Sequence, residues 1–140
     1  MEIRRIQWQD TIELRHRVLW PTRNQTFCHV EGDADAWHFG AFLPEGLVSV
    51  ASVYPEGETA RLRKFATAHE HQRKGIGTQM LTHILSDLRD NGFSQFWCDA
   101  RESAMSFYER FGMKPEGERF FKEDIPYYKM SVQLLAHQIT

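Results

Sequence analysis

Gln72-Arg73-Lys74-Gly75-Ile76-Gly77-Thr78 is the stretch on which the fold turns. It lies between a strand candidate, Ala60 to Thr67, and the best helix of the chain. In that helix Ile76, Met80, Leu81, Ile84, Leu85 and Leu88 recur at four, one, three, one and three, a wide amphipathic stripe. Gly92 reads as its C-terminal stop. Glycines ahead of a helix let the backbone turn tightly and come close to a ligand. The first helical amides have no internal partner, and with the helix dipole they suit an anion. Arg73 and Lys74 add positive charge at the same place. The bland alternative is a helix start with two convenient glycines. A Walker loop is excluded, because Lys does not follow the last glycine. The dinucleotide fingerprint is excluded too, because Met80 stands where its third glycine belongs.

Upstream of the loop, Glu2 to Ile6 alternates enough for a first strand. Asp10-Thr11-Ile12-Glu13 reads as a helix start, with a carboxylate three residues on that can reach back. Leu14 and Val18 share a face, and Pro21 ends the helix by disfavouring helical geometry at Trp20. Residues 22–36 show no period and read as loop or a short second helix. Trp37 to Leu43 and Leu47 to Tyr54, parted by Pro44-Glu45-Gly46, predict a hairpin. Downstream come a short strand at Ser94 to Cys98 and a helix at Glu102 to Phe111, stopped by Gly112. Two last strands follow, Met113 to Phe121 and Tyr127 to Leu134. The order predicts an α+β fold around a mixed sheet, one domain over residues 1–140.

The bulk composition excludes several classes. The 140 residues carry a net charge of -2, against a basic footprint for nucleic acid. No apolar run approaches the roughly 18 residues of a membrane helix, and the start of the chain has no apolar leader. Cys28 and Cys98 make neither a disulfide scaffold nor a zinc spacing, so no metal is expected and the chain reads as cytoplasmic.

Gln-x-x-Gly-x-Gly after a strand resembles the signature of the GCN5-related N-acetyltransferase (GNAT) family. Phe65-Ala66-Thr67 looks like that family's cofactor-facing strand, and Ser106-Phe107-Tyr108-Glu109-Arg110-Phe111-Gly112-Met113 like its tyrosine-bearing second motif. The resemblance implies a central, mostly antiparallel mixed sheet with helices on both faces. It implies an acetyltransferase using acetyl-CoA, with Gln72 to Thr78 at the pyrophosphate and Phe65, Ala66 and Thr67 along the pantetheine arm. Tyr108 would touch the cofactor and act as general acid.

Further segments are similar to the bacterial branch that includes glyphosate N-acetyltransferase. They are Leu14 to Pro21, His38-Phe39-Gly40-Ala41, Leu62 to Thr67 and Trp97-Cys98-Asp99-Ala100-Arg101. That branch implies Arg63 and Arg101 as holders of the substrate's acidic groups, and an arginine fork suits carboxylate or phosphonate. Two departures stand out. Trp20 replaces a third arginine of the branch, and Tyr127 replaces its basic histidine. The pocket is therefore expected to be less cationic and more aromatic than in that branch. A normal tyrosine is protonated at pH 7 and makes a poor base, so Tyr127 either has a lowered pKa or only shapes the pocket. His38, Glu31 or a water are the other candidates for the base. Asp99 stands where the branch has asparagine, and a carboxylate there suits either an amine or a pantetheine amide. The expected partner is a small-molecule amine; a homodimer is left open. The alternatives are a peptide N-acetyltransferase and a non-catalytic acyl-CoA-binding module.

Overall fold

The protein is described by a computed structural model over residues 1–135. The expected single domain runs to residue 140, and its last five residues lie outside the described ones. Seven strands form one sheet in the order β1-β2-β3-β4-β5-β7-β6. They are β1 (Glu2–Ile6), β2 (Trp37–Leu43), β3 (Gly46–Glu56), β4 (Thr59–Thr67), β5 (Gln95–Arg101), β6 (Lys114–Lys122) and β7 (Ile125–Gln133). Every pair is antiparallel except β4–β5. A parallel pair needs a crossover, and α2 (Ile76–Asp90) supplies it.

The predicted stripe of α2 is the buried one: Ile76, Met80, Leu81, Ile84, Leu85 and Leu88 all pack into the main core with Phe39, Val53, Leu62 and Phe96. Full burial of each such side chain contributes about 1.5–3 kcal/mol. Gly92, at φ 85°, closes the helix: its amide bonds to Arg89 and that of Phe93 to Leu88, the paired bonds of a Schellman stop.

The first helical segment covers the opposite face, so helices lie on both sides of the sheet. It starts one turn earlier than expected, as a 3-10 turn at Trp8–Thr11. The carboxylate that reaches back is Asp10, which accepts from the Gln7 amide at 3.0 Å. Thr11 is buried and donates to the Trp8 carbonyl, so it belongs inside the first turn rather than at its edge. α1 (Ile12–Leu14) then widens into a π turn, Arg15–Leu19, whose end is marked by the Trp20 amide bonding to the Arg15 carbonyl. Leu14, Val50, Ala66 and Ala68 form the small core beneath it. Residues 22–36 hold only two 3-10 turns, Gln25–Cys28 and Asp33–Asp35. The second motif is shorter than its sequence reading: a 3-10 turn at Glu102–Ala104 leads into α3 (Met105–Glu109).

A bulge in β4 decides which way its side chains face. Arg63 pairs with Ser52 but Ala66 with Val50, so Lys64 and Phe65 together oppose Ala51. Lys64 takes φ 54°, the left-handed region. Before the bulge Ala60 and Leu62 join the α2 core; after it Ala66 joins the α1 core and Phe65 packs on the α2 side.

Candidate active site

β4 and β5 pair only from Thr59↔Gln95 to Arg61↔Trp97. Beyond that the strands part, while β5 stays paired to β7 as far as Arg101↔Tyr127. The edge of β4 that faces β5 therefore has no strand partner from Leu62 onward. Two cavities, each of about 360 Å³, flank this split.

The first, here the inner cavity, lies between the parted strands and is covered by the π turn and the β6–β7 hairpin. Trp20, Arg63, Phe65, Asp99, Arg101, Tyr108 and Tyr127, singled out from sequence, all line it. So do Arg61, Lys64 and Lys122, which sequence reasoning missed. The cavity thus carries three cations beyond the two arginines expected from sequence. Lys64 adjoins Arg63 in a quoted segment, but strand alternation assigns neighbours to opposite faces. The bulge cancels that rule locally. Lys122 lay one residue beyond the strand expected at Met113 to Phe121, and is the last residue of β6.

Asp99 accepts from Arg61 at 3.0 Å and lies 3.3 Å from the Lys122 ammonium. It faces the inner cavity, not the glycine loop. Trp20 packs edge-on against Phe27, and the Lys64 ammonium sits over its ring at 4.6 Å. Tyr127 stacks on Phe120 at 5.8 Å, with the Lys122 ammonium 4.8 Å from its ring. Tyr108 neighbours Cys98 on β5. Burial, then the Cys98 neighbour, pushes the Tyr108 hydroxyl well above its ordinary range. Burial pushes the Cys98 thiol up to about 12, so it stays a protonated thiol, a poor nucleophile.

The second, or loop, cavity opens at the start of α2 and is lined by Thr67, Gln72, Arg73, Gly75, Ile76, Gly77, Thr78, Phe107 and Arg110. Arg73 and Gly75 both take positive φ, 63° and 82°, which curls the loop over the helix end. Gly75 caps α2 without any side-chain bond, leaving the first amides free for a ligand. Gln72 does not face the cavity alone: its amide donates to the Thr67 carbonyl at 2.9 Å and ties the loop to the end of β4. Arg110, also missed from sequence, donates to Thr78 at 3.0 Å and ties α3 to α2. Lys74 is exposed and Ala66 buried, and neither is on a cavity wall. A Cβ on Gly77 would lie 3.6 Å from both the Phe65 and Phe107 rings. Those two rings separate the cavities, with Tyr108 on the inner side and Phe107 on the loop side.

The other base candidates lie elsewhere. His38 is buried, donating to the Asp33 carbonyl at 2.8 Å and bonded to Ser52 at 2.7 Å. Burial holds its pKa below the ordinary 6.5. Glu31 is exposed and lines neither cavity. Among the described residues no acidic, histidine or cysteine cluster forms a metal site. No described helix is long and apolar enough to cross a membrane.

Comparison with known proteins gives this arrangement a family. The chain is 33% identical over 138 residues to the uncharacterized N-acetyltransferase YitI of Bacillus subtilis (strain 168), spanning 90% of this chain and 89% of that one. Its fold matches the ribosomal-protein-S18-alanine N-acetyltransferase of Escherichia coli, with TM-score 0.80 at 18% identity, over 98% of this chain and 96% of that one. It also matches a GNAT family acetyltransferase from Elizabethkingia anophelis with acetyl-CoA bound, with TM-score 0.74 at 14% identity, over 95% and 97% of the two chains. The acetyltransferase (GNAT) domain model matches residues 24–134. The chain therefore belongs to the GNAT acetyltransferase family.

Proposed function

We propose that this protein moves the acetyl group of acetyl-CoA to the amine of a small acidic or amino-acid-like substrate, as a single catalytic domain. The observation that carries the reading is the pair of cavities meeting at Phe65 and Phe107. One opens on free helix amides, and the other is lined by cations.

The loop cavity suits the pyrophosphate on three counts. The backbone curls at Arg73 and Gly75, the α2 amides are uncapped, and Arg73 and Arg110 stand at the wall. Lys74 adds charge nearby. Gln72 holds the loop in register with Thr67, and Ile76, Gly77 and Thr78 form the floor. The unpaired edge of β4 at Phe65, Ala66 and Thr67 suits the pantetheine amides, which need extended backbone partners. When bound, the cosubstrate supplies an activated acyl thioester.

The chain's own residues do the rest. Tyr108 keeps its proton at neutral pH, because burial raises its pKa, and donates a hydrogen bond to the leaving sulfur. Arg63 and Arg101 hold the acidic group of the acceptor, as in the glyphosate N-acetyltransferase branch that these segments resemble. Trp20 and Tyr127 wall the same space with aromatic surface. Tyr127, with the Lys122 ammonium over its ring, shapes the wall that the amine meets, and water takes the amine proton. Asp99 orients Arg61 and Lys122 at the rim. Aligning amine and thioester removes about 7–11 kcal/mol of barrier in well-oriented systems, so positioning outweighs any single proton transfer.

The test is release of free thiol from acetyl-CoA against a panel of amines. Turnover is expected with acidic amines and little with neutral ones of the same size. Turnover on peptides alone would replace the acceptor class, and CoA binding without turnover on any amine would sink the enzymatic reading.

A further inference from the structure

The inner cavity carries more positive charge than its carboxylate neutralises. Arg61, Arg63, Lys64, Arg101 and Lys122 line it, with Asp99 as the carboxylate among the lining residues. Asp99 is engaged by Arg61 and Lys122. Arg63, Lys64 and Arg101 have no ion pair among the described residues. Arg63 rests over the Tyr54 ring at 5.4 Å and Lys64 over Trp20 at 4.6 Å, contacts that steer a cation without neutralising it.

The backbone adds a second, independent observation. Lys64 occupies φ 54° at the β4 bulge. Glycine takes that conformation freely, and lysine does so at a cost. Strain kept at a cavity wall is a mark of function. Here it turns an ammonium into a space that strand alternation would deny it. Burial, and then Arg63 and Lys122, push the Lys64 ammonium down to about 8, as like charges crowded together must.

We propose that Lys64 anchors the acceptor, and that Arg63, Lys64 and Arg101 together take an amine bearing two anionic groups. One carboxylate can occupy one arginine fork or bridge two, which leaves the third cation unanswered. A second anionic group answers it. The word acceptor rests on the acetyl-transfer reading; the dianion site itself does not.

Titration calorimetry at pH 7 on the CoA-loaded protein, with the loop cavity filled, compares succinate with butyrate. Succinate is expected to bind about tenfold or more tightly, the scale of one charge-assisted contact. Lys64→Met should remove most of that preference, cutting succinate affinity about tenfold and butyrate affinity less than about threefold. Lys64→Arg should keep it. Lys64→Gly relieves the backbone, so it should melt no lower than the native protein while losing the preference, which separates a lost contact from a lost fold. In the native protein the succinate preference should fade as pH rises past about 8, and in Lys64→Arg it should not. The groups facing Lys64 in the cavity are Arg61, Arg63, Arg101, Lys122, Asp99, Tyr108 and Tyr127. Equal preference in Lys64→Met and Lys64→Gly, or native protein that binds succinate no better than butyrate or not at all, overturns the proposal. Failure of CoA to bind would instead count against the acetyl-transfer reading, and the same titration on the free protein would still decide for Lys64.

Discussion

Arg15 has no exposed surface; its two terminal nitrogens are bonded where they lie, while its Nε has no partner among the described residues. It donates to Asp33 through two bonds, at 2.7 and 3.0 Å, and to the Cys28 carbonyl, Ser52 and Tyr54. Tyr54 donates to Asp33 in turn. This network pins the loop of residues 22–36 under the π turn and fixes the Tyr54 ring on which Arg63 rests. Removing one partner of a buried pair leaves a bare charge, which costs about 3–5 kcal/mol. Arg15→Met should lower stability by that amount in urea unfolding; a change under about 1 kcal/mol would show that Asp33 finds another partner. At Tyr108 the question is chemical rather than structural. Its hydroxyl stays protonated, so Tyr108→Phe removes a donor and little volume. Turnover should fall about 100-fold, while the Kd for CoA moves less than about threefold. An unchanged rate would take Tyr108 out of the mechanism.

At the scale of elements, the loop and the bulge do opposite things with positive φ. Gly75, at φ 82°, would put a Cβ in open space, so a substitution there strains the backbone without a clash. Gly75→Ala should cost about 1 kcal/mol in stability. It should also weaken CoA binding, because the turned loop carries the free amides of α2. Reversing charge with Arg73→Glu isolates the electrostatic part: the Kd for CoA should rise while the melting temperature holds. A Kd unmoved by Arg73→Glu would remove the pyrophosphate from this loop. In β4 the bulge spends strain at Lys64 to switch the strand's faces, so Leu62 feeds one core and Ala66 the other. Both are consequences of a sheet that must bury two faces and also open an edge.

The whole molecule is a sheet closed at one end of β4–β5 and open at the other, and it buries acid-sensitive groups. Two of them set a stability profile. His38 is held neutral by burial, below its ordinary 6.5, so the unfolded chain takes up a proton that the native one refuses. Stability should therefore decline as pH falls below about 6.5. Burial alone would raise the Asp33 carboxyl, but the Arg15 and Tyr54 bonds, the Val30 amide and the Arg15 charge outweigh it and hold it at about 2. Its contribution is present above its ordinary 3.8 and is lost as pH falls from there toward 2. Urea midpoints measured from pH 7 to pH 2.5 should show both declines, and Asp33→Asn should lose the lower one. A flat profile would place these groups in solvent.

The sequence by itself determined the elements and the family. The α2 stripe, the glycine loop and the order of strands are local patterns, and the 3.6 and 2.0 periods that encode them survive in any tertiary setting. Gln72 to Thr78 was legible because glycine and charge ahead of a helix have few other uses. Only the tertiary structure decided how the inner cavity is charged. Asp99 meets Arg61 and Lys122 across strands far apart in sequence, and Lys64 joins them because the bulge suspends the alternation on which a sequence reading of facing depends. The buried place of His38 was hidden for the same reason: what a side chain touches across a sheet is set by register, and register is a property of pairs of strands rather than of one.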